Sequence, residues 1–236
     1  MNALVHSPLF GLLLTVGAYR FAVWLYQRCG RHPLLHPFLV AMVPVVLVLL
    51  WLDISYREYM QQTQLLQFLL GPATVALAWP LYRQLTHVRA VGGQILLAVV
   101  IGGTLACLIA VVLAWWLGAS PEVLASLATK SITTPIALEV TKMTGGYGPL
   151  AAGAVAITGI VGVIIAPLVF RLLRVSDDRV RGLSLGIVAH AIGTSRAFEY
   201  GERAGAFSSL ALGLTGLFTA LALPVAWPWL TAWLAS

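Results

Sequence analysis

The chain has 236 residues, of which 60% are hydrophobic and only 9% charged, and its mean hydropathy is +0.92. That balance excludes an ordinary soluble domain, which needs more polar surface, and points to a polytopic membrane protein. The net charge of +6 does not signal nucleic acid, because no basic stripe with interleaved aromatics accompanies it.

In chain order, apolar runs long enough to cross a hydrocarbon core, roughly 17–25 residues, fall at 9–26, 34–52, 65–82, 91–117, 147–170 and 207–233. Six spans are expected. The first carries Arg20 and has neither a basic leader nor a cleavage site, so it reads as a retained helix. The polar connections are too short for a core of their own, which predicts a single membrane domain over 1–236. Cys29 and Cys107 are isolated and read as free thiols. Tryptophans near the span ends, such as Trp51, Trp116 and Trp229, fit interfacial anchoring.

Arg28 and Arg31, Arg83 and Arg89, and Arg171, Arg174, Arg179 and Arg181 mark three cytoplasmic loops under the positive-inside rule, which places the N-terminus outside. Parity then demands that residues 121–146 begin and end on the outer side. They are predicted to form a re-entrant hairpin. Residues 182–205 follow the last arginine loop, and two readings stand: a second hairpin from the opposite face, or a full crossing. The expected fold is all-α, about six transmembrane helices plus two broken or re-entrant segments, arranged as inverted repeats; the alternative is seven to eight full spans.

Two polar islands interrupt this apolar chain, KSITTPIALEVT at 130–141 and HAIGTSRAFEYGER at 190–203. A charge at mid-bilayer costs at least about 2.5–3.5 kcal/mol, so such residues face protein or a wet cavity. Pro135 biases Thr134 away from helix and puts the break at 133–135. Ser131, Thr133 and Thr134 bring hydroxyls there, and a helix starting at Pro135 would aim free amides at an anion. Thr74 belongs to GPATVALAWPL at 71–81, which echoes ITTPIALEV and suggests an internal repeat. In the second island, Gly193, Thr194 and Ser195 offer a hydroxyl-bearing turn before Arg196. That guanidinium either grips a carboxylate or pairs with Glu199 or Glu139. Glu139, Glu199 and His190 are the candidates for carrying a coupled proton. Gly182 with Gly186, and Gly201 with Gly205, permit close helix approach.

No HExxH, GxSxG or P-loop motif occurs, so no catalytic residue, metal or cofactor is expected and the chain does not read as an enzyme. The stretches KSITTPIALEVT, AHAIGTSRAFEYGERAGAFSSLAL and LGPATVALAWPLYRQL, with HPFLVAM near Pro37 and GASPE near Pro121, resemble the LrgB/CidB family over nearly the whole chain. The resemblance implies a multi-pass protein of the bacterial inner membrane working beside a small LrgA/CidA-like, holin-like partner. It also implies one of two activities: antiholin-like control of murein hydrolase activity and autolysis, or transport, since plastid relatives resemble glycolate/glycerate carriers and bacterial pairs are tied to pyruvate uptake. The leading expectation is a proton-coupled secondary transporter of small monocarboxylates such as glycolate, glycerate, lactate or pyruvate. The rival is a membrane regulator or holin-associated pore component. A homo-oligomer is a further expected assembly.

Overall fold

The computed structural model describes residues 5–76, 78–83, 86, 89 and 91–234, and all regular structure among them is helical. The chain divides into two compact units, Met1–Leu77 and Ala78–Ser236.

In the first unit, Ser7 caps α1 (Pro8–Arg28) by accepting the Phe10 amide at 3.4 Å, with Pro8 in the first helical position. A 3-10 turn (Pro33–Leu35) leads to α2 (Pro37–Trp51), which meets α3 (Tyr56–Gln62) at a bend of 116°. Gly11 of α1 lies directly against Gln62, and the Thr15 and Tyr59 hydroxyls sit 2.7 Å apart. His6 pairs with Glu58. α4 (Gln64–Ala76) closes this unit with Pro72 inside it.

The second unit contains α5 (Ala78–Arg83), α6 (Gly92–Trp116), α7 (Pro121–Ala128), α8 (Thr134–Met143), α9 (Gly148–Leu172), α10 (Asp178–Tyr200) and α11 (Glu202–Leu234). Among the described residues four helices, α1, α6, α9 and α11, are long and apolar enough to span a bilayer, and the bent pair α2–α3 would make a fifth. Of the run expected over 65–82, Gln64–Ala76 lies in α4 and Ala78–Arg83 in α5. Large apolar side chains cover the outsides of the long helices, among them Leu97, Leu113, Ile157, Leu168 and Leu221. Such a surface suits lipid and not water. The protein is an all-α polytopic membrane protein.

α6 and α11 run side by side in the same direction: Val99 packs with Phe207 and Ala211, Gly103 faces Thr215, and Val111 packs with Leu223 and Trp227. α9 runs the opposite way. One end of this unit gathers the start of α6, the end of α9 and the start of α11. Arg171, Arg174, Arg179, Arg181 and Arg203 lie on the helix ends and connection there, and Arg83 joins them through a 2.9 Å ion pair to Glu202.

Candidate functional site

Two chain reversals project into the second unit from opposite ends. The first is α7–α8. Ser120 and Pro121 start α7, the chain turns over 129–133, and α8 returns. The two arms of this hairpin are fastened to each other by polar contacts. The Ser126 hydroxyl donates to the Glu122 carbonyl and accepts the Tyr147 amide, both at 2.7 Å, and the buried Thr129 and Thr141 hydroxyls are 2.9 Å apart. A side chain at Gly146 would meet the Ser126 backbone nitrogen at 2.8 Å.

The second reversal lies inside α10, at His190, whose φ of 43° and ψ of −130° are far from helical. A straight helix of this length would hold its ends about 35 Å apart. Instead the Arg181 guanidinium stands 5.5 Å from the Tyr200 ring centroid, and a Cβ on Gly193 would come within 2.4 Å of the Leu185 carbonyl oxygen. Residues 178–189 therefore enter and 191–200 return. α11 then runs alongside the entering arm, with Gly182 against Ala204 and Gly186 against Ser208. The returning arm packs antiparallel to α11: Phe198 lies against Gly205, and the Thr194 and Ser208 hydroxyls are 2.9 Å apart. Gly201, at φ 139°, makes the sharp second turn that a side chain would resist. Of the two readings of residues 182–205, the reversal at His190 favours the re-entrant hairpin, and α11 is the candidate span that follows it.

The two tips meet on α9. Ile132 of the first hairpin packs on Val155, and the Val155 carbonyl accepts the His190 Nε2 proton at 2.9 Å. Because a carbonyl only accepts, this contact fixes the tautomer of a neutral ring. The His190 ring also lies directly against Gly159, and Ala189 against Gly162. Val155 and Gly159 stand about 10 and 16 Å along a helix about 37 Å long, so the tips meet well inside this candidate span. Holding a non-glycine residue at positive φ costs on the order of 1–3 kcal/mol and commonly marks a functional site.

Among the residues singled out from sequence, Ser131 is buried and accepts a hydrogen bond from Lys130 Nζ at 3.2 Å, while Thr133 and Thr134 are half-buried and Pro135 is exposed at the start of α8. The helix begins at Thr134, one residue earlier than expected, and Thr133 supplies no side-chain cap. His190, Gly193 and Thr194 are buried at the second tip, with the Thr194 hydroxyl donating to the His190 carbonyl at 2.9 Å. The turn sits at His190 and not at Gly193–Ser195, which are helical; Gly193 instead allows the two arms to touch. Ser195 is exposed and donates to the Ile192 carbonyl at 2.7 Å. Arg196 lies further toward the basic end, paired with Glu199 at 2.5 Å and stacked 5.3 Å from the Tyr200 centroid. Glu139 is exposed on α8. Thr74 falls on α4 of the first unit, and its side chain is outside the described residues. Pro72 lies inside a helix whereas Pro135 starts one, so the echo between 71–81 and 132–140 is not a shared break.

Sequence matching gives this arrangement its family. The profile of the LrgB-like family matches residues 15–229. The chain belongs to the LrgB-like family. The uncharacterized protein YwbG of Bacillus subtilis (strain 168) is 37% identical over 213 residues, 90% of this chain and 94% of its own length. The uncharacterized protein YxaC of the same strain is 38% identical, over 86% of this chain and 88% of its own. A Bacillus cereus relative named antiholin-like protein LrgB is 29% identical over 95% of this chain and 97% of its own. No solved structure matches. Bacterial relatives and apolar helices together indicate a bacterial membrane protein.

Sequence reasoning did not nominate Thr129, Thr141, Ser208 or Lys130. Lys130 carried a usable signal, since it is a cation inside the same island that drew attention to Ser131.

Proposed function

We propose that this LrgB-like protein is a secondary transporter of small monocarboxylates, with its substrate site where the two hairpin tips meet. The observation that carries the reading is the pair of re-entrant hairpins, entering from opposite ends and converging at Val155, because broken helices around a mid-membrane site are the common architecture of secondary transporters. In this reading the hydroxyls of Ser131, Thr133 and Thr134 on the first tip read substrate oxygens, while the Thr194 hydroxyl, bonded to the His190 carbonyl and to Ser208, holds the second tip in shape. His190 is the proton carrier nearest the site; Glu139 and Glu199 lie outside it. The arginine-rich end is cytoplasmic by the positive-inside rule, and the glycolate, glycerate, lactate and pyruvate class is the substrate range that the family resemblance suggests.

The name of the Bacillus cereus relatives, antiholin-like protein LrgB, supports the second reading, an antiholin-like regulator acting through an LrgA/CidA-like partner, more directly than it supports transport. Uptake of labelled pyruvate and glycolate by purified protein in liposomes, with and without such a partner, separates the two. Saturable uptake establishes transport, and its absence under both conditions leaves the regulator.

A further inference from the structure

Lys130 sits beside the first hairpin tip, and its only hydrogen bond among the described residues goes to the neutral Ser131 hydroxyl. No ion pair joins it to a carboxylate among those residues, although Arg83, Arg179, Arg181 and Arg196 all have one. Lys130 is half-buried, and an ammonium partly withdrawn from water without a counter-charge is unfavourable, so this position calls for an anion.

The space beside it suits one. A cavity of about 460 Å³ runs between α9 and the entering arm of α10, from Lys130, Thr158 and Ala189 near the meeting point down to Phe170 at the basic end. Val161, Ile165 and Val188 make its walls apolar, and apart from Lys130 its polar side chains are Thr158 and Ser184. We infer that Lys130 receives a singly charged carboxylate with an apolar body, entering from the basic end along the α9–α10 cavity. One cation matches one negative charge, and apolar walls match an apolar tail, which narrows the substrate range given above and drops the dihydroxylated glycerate from it. This inference rests on the hairpin-tip site described under the proposed function. The same chemistry is offered by a short water-soluble acid and by a fatty acid of the bilayer.

Equilibrium binding of labelled butyrate to the purified full chain in nanodiscs, with oleate, glycerate and succinate as competitors, tests it. Lys130→Gln should weaken binding about 10-fold, as expected when a charge-assisted contact of a half-buried group is lost, whereas Lys130→Arg should keep most of it. Val188→Trp, at an exposed cavity wall, should weaken binding while the protein stays monodisperse, so the test survives if Lys130→Gln fails to fold. Succinate and glycerate should compete poorly. Displacement by oleate far below butyrate concentrations would identify the lipid as the source; comparable displacement by butyrate itself would identify the aqueous acid. Wild-type affinity in Lys130→Gln or Val188→Trp, or no binding of either acid by the wild type, overturns the inference. Lys130-dependent binding without liposome flux sinks the transport reading and leaves the site standing.

Discussion

The contact between the entering arm of α10 and α11 leaves no room for a methyl group at Gly186. A Cβ built there lies 2.3 Å from the Ser208 carbonyl oxygen and 2.8 Å from the Ala211 methyl. Ordinary contact begins near 3.4 Å, so Gly186→Ala must push two helical backbones apart by about an ångström. Overpacking of this kind costs about 1–3 kcal/mol, or about 2–12 °C in melting midpoint for a protein of this size. Gly213→Ala provides the control, because nothing lies within 4 Å of its would-be Cβ and a helical Gly→Ala change gains up to about 1 kcal/mol. Thermal unfolding of both variants in one detergent should place them on opposite sides of the wild type. Gly186→Ala as stable as Gly213→Ala would refute the close packing and, with it, the parallel pairing of 182 with 204 and 186 with 208.

Thr194→Val and Ser208→Ala should each destabilise by about 1 kcal/mol, and a double-mutant cycle in denaturant should show them coupled; additive effects would mean the two hydroxyls do not bond. Asp177 accepts from the side chain and backbone amide of Arg179, which lowers its carboxyl to about 2 in the connection before α10. A depressed pKa adds stability above the unfolded value of about 3.9 that is lost as pH falls toward 2. The difference in melting midpoint between wild type and Asp177→Asn should therefore be constant above about pH 4 and shrink below it; a pH-independent difference would contradict this. Gly146→Ala should loosen the returning arm of the first hairpin against Ser126 and speed proteolysis there, with unchanged cleavage as the contrary result.

Much of this arrangement is readable in the amino-acid sequence, and the parts that are not have physical reasons. Arginine parity and the Thr-Thr-Pro break locate the first hairpin, since charge placement and the missing proline amide act through local chemistry. The second reversal is hidden because it occurs at His190, which has no turn-forming residue at the bend, and tertiary contacts with Val155 and Gly159 hold it there. Arg196 drew attention as the charge beside a flexible turn, yet helix geometry carries it away from the tip and alongside Glu199. Sequence adjacency to a turn does not determine which side chain reaches the centre. Lys130 does reach the cavity, because the turn over 129–133 keeps it at the tip.

Two opposed hairpins are the claim on which the rest depends, and side-specific labelling of single cysteines tests it most directly. Cysteines at Ser176 and Glu202, which flank residues 178–200, should both react with an impermeant maleimide from the cytoplasmic side, and a cysteine at Glu122 from the opposite side. Labelling of Ser176 and Glu202 from opposite sides would show a full crossing and contradict the account.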